Sequence, residues 1–186
     1  MNSYVALLRG INVSGHKLIK MKYLENSISS LGFSNISTYL QSGNLVFQSD
    51  NTDIGVLEDQ ISLKIQLDFG FDVPVFVYEK NLFLQINANN PFQDVARFDR
   101  KKIYTIFLKQ EVDPISFLKI EMDPKYPEKM VLRKNIIYMY FTNGYGKTKV
   151  HNNFFENKLN AIATARNWNT VTKLTDFGEI LILRKI

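Results

Sequence analysis

One order of structural signals occurs twice along this chain. In the first half, short apolar runs occupy residues 4–9, 36–40, 45–48 and 73–78. Between them, Met21, Leu24, Ile28 and Leu31 recur at helical intervals, as do Ile54, Leu57, Ile61 and Ile65; that spacing lines one face of a helix. Gly32 and Gly70 stand where helix ends favour a left-handed residue. Asn51, Thr52 and Asp53 offer N-caps for the second helix, and Ser42-Gly43-Asn44 marks a turn between two strands. The order is strand, helix, strand, strand, helix, strand. Residues 81–86 read as a short added helix before the polar connection at residues 87–91.

After that connection the order restarts. Residues 102–108 read as a strand, and Asp113-Pro114 as a capped helix start with proline in the first turn. Residues 130–133 and 136–141 flank Lys134-Asn135 as a hairpin. Asn152 or Asn153 is the expected cap of a helix carrying Phe155, Leu159 and Ile162, followed by a closing strand at 163–166. A last helix is expected from about Trp168 to Leu183, with Val171, Leu174 and Leu181 inward, although Gly178 counts against it. The pattern predicts an α+β protein of two tandem ferredoxin-like βαββαβ units packed together, divided as residues 1–95 and 96–186. It repeats element order, not residue identity.

Composition narrows the function classes. There is no cysteine among the 186 residues, which excludes disulfides, thiolate nucleophiles and cysteine metal sites together and fits a reducing cytosol. No apolar run reaches the roughly 18 residues of a membrane span, and the opening residues do not read as a secretion signal, so a cytoplasmic location away from membranes is expected. Residues 1–95 hold six Lys or Arg against nine Asp or Glu; residues 96–186 hold seventeen against nine, within a net charge of +5. A basic second half raises nucleic acid or a phosphorylated ligand as partners, against the plainer reading of a solvated surface.

The first twenty-four residues contain no acid, yet hold Arg9, Lys17, Lys20 and Lys22 with His16 among them. They read as a strand end, a glycine-punctuated loop and a helix start. A helix N-terminus carries partial positive charge, so each exposed cation there costs about 0.3–1 kcal/mol. Among the helix starts read from the sequence, this one alone carries lysines where others carry Asn, Thr or Asp. A bound anion reverses the sign of that effect, and free backbone amides with lysines make a phosphate or carboxylate cradle. The plain alternative is lysines extended into water.

Arg166-Asn167-Trp168-Asn169-Thr170 also admits two readings. Arginine grips carboxylates and phosphates at two points, and Trp168, the one tryptophan, can stack on a ring. The competing reading has Trp168 in the core with Asn167 and Thr170 as caps. Other motifs fail on spacing. Gly146-Lys147-Thr148 lacks the P-loop glycine five residues earlier, where Phe141 stands. Ser14-Gly15-His16-Lys17 matches the first motif of penicillin-recognising enzymes, but Lys147-Thr148-Lys149 breaks the third. His16 and His151 are not spaced as zinc ligands, no carboxylate pair suggests acid–base work, and the aromatics around Phe47, Tyr138, Tyr140 and Phe141 lack the RNA-recognition pattern.

Four blocks carry a family resemblance: Tyr4-Val5-Ala6-Leu7-Leu8-Arg9-Gly10-Ile11-Asn12-Val13, Thr38-Tyr39-Leu40-Gln41-Ser42-Gly43-Asn44-Leu45-Val46-Phe47, Asn90-Pro91-Phe92, and Thr164-Ala165-Arg166-Asn167-Trp168-Asn169-Thr170-Val171-Thr172-Lys173-Leu174. In this order they resemble the uncharacterised bacterial domain-of-unknown-function 1697 family. The resemblance implies two α+β units similar to the ferredoxin-like arrangement, and no activity. The chain departs from the pattern at Ser14, where the family tends to have glycine, and at Thr148, where serine is more usual. The expected function is binding of an anionic small ligand, with no catalytic residue, metal or cofactor assigned. Expected site residues are Arg9, Asn12, His16, Lys17 and Lys20, then Gln41, Ser42 and Asn44 from the hairpin, then Lys149, Arg166, Asn167 and Trp168 from the second half. The alternatives are an enzyme acting on a phosphorylated or nucleotide-like molecule, and a nucleic-acid-binding or protein-interaction module. Oligomeric state is left open.

Overall fold

The computed structural model describes residues 1–94 and 96–183, excepting the side chains of 178–183. It is an α+β chain with two four-stranded antiparallel sheets and six α-helices among the described residues. The chain divides into two compact units, one made of Met1–Gln85 with Lys173–Ile186 and the other of Ile86–Thr172. The boundary at 95/96 expected from the sequence falls inside the second of these, and the last helix from Lys173 onward groups with the first.

In the first unit the strands are β1 (Asn2–Leu8), β2 (Ser34–Thr38), β3 (Asn44–Ser49) and β4 (Val75–Glu79), in the order β2-β3-β1-β4. The centre of the sheet is β1, which pairs Ala6 with Leu45 on one side and with Val77 on the other. Side chains alternate across a strand, so Tyr4, Ala6, Leu8, Leu45, Phe47, Val75 and Val77 share one face. They pack on helices α1 (Met21–Ser29) and α2 (Ile54–Phe69) through Leu24, Ile28, Leu57, Ile61 and Ile65. The opposite face, with Val5, Leu7, Val46, Phe76 and Tyr78, is buried too, which is why these strands read as unbroken apolar runs. The ring of Phe83, on α3 (Lys80–Ala88), lies 6.2 Å from that of Tyr78. Asp53 caps α2 by accepting from the Val56 amide at 3.2 Å. Gly70 ends it at φ +74°, its amide donating to Gln66 O at 2.9 Å. Across the two helices, the Ser27 hydroxyl donates to Asp68 at 2.6 Å, and Lys64 reaches the same carboxylate at 3.0 Å. The Ser27 hydrogen bond, then Lys64, holds the Asp68 carboxyl below the ordinary aspartate range.

The second unit uses β5 (Ile103–Leu108), β6 (Lys129–Arg133), β7 (Ile136–Tyr140) and β8 (Ala163–Asn167) in the order β6-β7-β5-β8. Strand for strand this matches the first sheet. Helices α4 (Pro114–Glu121) and α5 (Asn152–Leu159) cover Ile106, Leu108, Ile137, Met139 and Ala163 with Phe117, Ile120 and Phe155. On the other face, the Tyr138 hydroxyl donates to Ile86 O at 2.9 Å and Tyr140 meets Phe98 edge-on at 5.0 Å. Asp113 caps α4 by accepting from the Ile115 and Ser116 amides. Helix α5 departs from expectation. Neither Asn152 nor Asn153 is its cap: His151 holds that place with no side-chain bond. Asn152 is already inside the helix, with its Oδ1 buried and unbonded. The last helix, α6 (Trp168–Leu183), continues through Gly178. Val171 and Leu174 are buried in it, while the side chain of Leu181 lies outside the described residues.

Burial raises the Tyr78 phenol well above its ordinary value, with Glu58 adding to the shift, and burial raises Tyr138 as well. A raised folded-state pKa contributes stability that is complete below the unfolded pKa of about 10 and is lost as pH rises past it. Urea midpoints are therefore expected to fall between about pH 9 and 11, and Tyr78→Phe to flatten that slope; an equal slope in the variant contradicts the assignment.

Candidate functional site

Strand β1 delivers Arg9 into a loop, residues 9–20, that turns back on itself before α1. The Arg9 amide donates to Pro74 O at 2.9 Å. Gly10, Asn12, Ser14, Gly15 and Lys17 all take positive φ, a region that glycine enters freely and that costs other residues about 1–2 kcal/mol. The departure at Ser14 thus falls on a left-handed position, φ +50°, where glycine fits without cost. The tip closes through the His16 amide to Val13 O, 2.9 Å, and its base through the Asn12 amide to Lys17 O, 3.1 Å.

Asn12 holds the loop to its neighbours. Its Oδ1 accepts from the Ile19 amide at 2.8 Å, while Nδ2 donates to Ile19 O at 3.0 Å and to Gln41 O at 2.8 Å. Three contacts of one carboxamide therefore join the loop, the approach to α1 and the β2–β3 connection. That connection has its own clamp: buried Asn44 donates through Nδ2 to Tyr39 O at 2.6 Å and to Ser42 Oγ at 3.0 Å. Gly43 sits at φ +74°, where an added Cβ would lie 2.7 Å from Leu8 Cβ and Ile11 Cδ1. Its carbonyl accepts from the Leu8 amide at 2.8 Å.

The start of α1 lies beside this construction. Lys20 is its N-cap and makes no side-chain capping bond, and the first turn contains no acid. The Lys20 carbonyl accepts from Tyr23 and Leu24. The Lys20 ammonium lies 5.7 Å from the centre of the Tyr23 ring. Lysine at a helix start is not peculiar to α1, since α3 begins at Lys80. A cavity of about 440 Å³ lined by Asn12, Leu18, Ile19, Lys20, Tyr23, Gln41 and Phe69 opens beside α1; the start of α3 borders a smaller one, about 290 Å³, with Glu79, Lys80 and Asn81. A further hollow of about 350 Å³ shares Tyr23 and Phe69 with the cavity beside α1 and continues along α1 past Asn26, Ser27 and Ser30 to Lys64 and Asp68.

Of the residues expected at the site, Asn12, Lys20 and Gln41 line the cavity. Arg9, His16, Lys17, Ser42 and Asn44 lie in the loop and hairpin that frame it. Lys17 turns away, its ammonium donating to the Asp72 carbonyl. The other four belong to the second unit. Arg166 is buried, with Nη1 donating to Thr164 Oγ1 at 2.8 Å and Ala165 O at 2.9 Å. Burial lowers its guanidinium to about 10, partly offset by Tyr145. Asn167 donates to Lys101 O at 3.2 Å and accepts from the Asn169 amide at 2.9 Å, so it caps α6. Trp168 is buried and Lys149 is exposed. Leu18, Ile19, Tyr23 and Phe69 were not expected. Tyr23 carried a signal, being an aromatic off the Leu24–Ile28 stripe and three residues after Lys20.

Among the described residues, no group of three or more His, Asp or Glu is placed to hold a metal ion, and no helix is long and apolar enough to cross a membrane. Phe47, Tyr138 and Phe141 are buried, so they form no open platform for bases.

Residues 1–138 match the model of the family described as protein of unknown function (DUF1697). The chain belongs to that family. No curated protein matches it. Among solved structures it resembles the conserved bacterial protein SP0830 from Streptococcus pneumoniae, with 21% identity and a TM-score of 0.71, covering 95% of this chain and 98% of that one. At that identity the likeness shows the fold.

Two substitutions test the frame. Gly43→Ala adds a strained φ and a clash and is expected to cost about 2–4 kcal/mol in urea unfolding. Asn12→Ala leaves the Ile19 amide and the Gln41 carbonyl without their partner and is expected to cost about 1–3 kcal/mol, with the largest amide exchange increase at residues 11–19 and 39–43. Exchange unchanged in those segments contradicts the staple.

Proposed function

We propose that this protein is a cytosolic binding protein for an anionic small molecule, and that each of its units is a ferredoxin-like α+β fold. The cavity at the start of α1 carries the functional reading. Its 440 Å³ lies within the range of small-molecule sites, about 300–1,000 Å³, and it gathers Asn12, Lys20 and Gln41 from three segments of chain. Lys20 makes no ion pair among the described residues; its contact is the Tyr23 ring. The negative face of an aromatic ring stands in for an anion in such a pair. The first amides of a helix have no partner within it and add to the attraction. The matched strand order of the two sheets, β2-β3-β1-β4 and β6-β7-β5-β8, supports the fold reading.

Binding is the reading put forward because the lining pairs a cation with apolar and aromatic side chains and places no carboxylate or imidazole beside them. Phosphate or carboxylate ligands are expected to raise the melting temperature. A ligand at a hundred times its Kd adds about 2.7 kcal/mol, or about 5–10 °C for a chain of this size. Lys20→Ala is expected to abolish the gain and Lys17→Ala to reduce it little, since Lys17 is engaged with Asp72. No shift across a set of sugar phosphates, nucleotides and carboxylates, or an undiminished gain in Lys20→Ala, overturns the reading.

A further inference from the structure

The same cavity points to the kind of anion. Resting on the binding reading above, we propose that the ligand carries a planar aromatic ring beside its phosphate or carboxylate, and that Tyr23 and Phe69 hold the ring while Lys20 holds the charge.

Three observations carry this. First, Tyr23 is 57% exposed and Leu18 65% exposed, although each lines the cavity. Large apolar side chains left open in a concave site are the usual signature of a ligand with apolar surface. An inorganic anion uses Lys20 and leaves Leu18 and Tyr23 uncovered; Phe69, half-buried against the core, presents its remaining surface to the same cavity. Second, among the described residues Tyr23 has no aromatic ring neighbour and no hydrogen bond from its hydroxyl; its close contact is the Lys20 ammonium, 5.7 Å from the ring centre. Charge and ring thus stand side by side on one wall, as they do in a ring-bearing anion. Third, Tyr23 and Phe69 border both hollows. A ring between them reaches past the 440 Å³ cavity toward Asn26, whose carboxamide offers hydrogen bonds to its polar edge, and Ser30, whose hydroxyl donates to Ser27 O at 2.7 Å and keeps its oxygen as an acceptor. Ser27, Asp68 and Lys64 are already bonded to one another and form the far rim. Nucleoside monophosphates combine charge, ring and polar edge, and aryl carboxylates combine the first two.

The test is a proton–nitrogen NMR titration of the full chain at fixed ionic strength with AMP, adenosine, ribose 5-phosphate, inorganic phosphate and 4-hydroxyphenylacetate. AMP or 4-hydroxyphenylacetate is expected to bind about tenfold tighter or better than ribose 5-phosphate and phosphate, the usual size of a stacking contribution. Shifts are expected at the amides of Leu18, Lys20, Tyr23 and Phe69. Which of the two ring-bearing probes wins assigns the ligand to nucleotides or to aryl acids. Tyr23→Leu keeps apolar bulk and removes the ring; it is expected to erase the advantage over ribose 5-phosphate while phosphate binding persists. Lys20→Met is expected to bring AMP down to the affinity of adenosine. Ribose 5-phosphate or phosphate binding as tightly as the better of the two ring-bearing probes overturns the ring and leaves the anion reading standing. Adenosine binding as tightly as AMP, with Lys20→Met silent, overturns the anion reading and leaves the ring. Silence of every probe overturns both. If that silence comes with self-association that Tyr23→Leu abolishes in sedimentation velocity, the groove belongs to a second copy of the chain.

Discussion

Five consecutive residues of β1, Tyr4 to Leu8, are fully shielded from solvent. A strand buried on both faces and paired on both edges cannot slip, because a shift of one residue would exchange its two faces and break two ladders at once. The first unit is hung on this strand. Leu8 hydrogen-bonds to Gly43, and the close approach of Gly43 to Leu8 and Ile11 brings the β2–β3 connection against the loop that follows. The frame of the candidate site is thus an extension of the sheet centre into two loops, held by the carboxamides of Asn12 and Asn44.

That arrangement changes what the basic opening segment means. Five charged or ionisable side chains stand close in sequence there, but the fold gives them different work. Lys17 closes the loop on the Asp72 carbonyl. His16 lies at an exposed tip, and Arg9 leaves the strand end. Lys20 is the one placed at the cavity with an aromatic ring for company. Loop residues with positive φ are strained, and such strain persists only where the surroundings over-determine it. Here Asn12, at φ +54°, is held by three hydrogen bonds of its own side chain.

The secondary-structure elements were legible from periodicity because the cores they form are regular. Leu57, Ile61 and Ile65 fall every four residues, Asp53 and Gly70 mark the ends of α2, and Asp113-Pro114 opens α4. Helix α5 was misread at its start, since two asparagines look like caps and nothing local says that the chain enters from His151. The C-terminal helix was legible as a helix, but not the grouping of its residues from Lys173 onward with the first unit; the ring contact between Phe177 and Tyr39, 5.3 Å, joins residues far apart in sequence. The candidate site was half legible. Asn12, Lys20 and Gln41 carry polar chemistry and stood out, whereas Tyr23, Leu18 and Phe69 look like ordinary apolar residues until their exposure is known.

By itself, the sequence determined the order of elements, the duplicated pattern, the family and the absence of cysteine chemistry. These depend on residue type and short-range spacing, which no tertiary contact alters. Only the tertiary structure decided which polar groups are occupied and which face a cavity. Asn12 and Asn44 are both asparagines in matching blocks; one staples three segments at a cavity wall and the other is sealed inside a hairpin. The difference lies in partners 5 to 29 residues away, and hydrogen bonds over such separations exist only once the chain has folded.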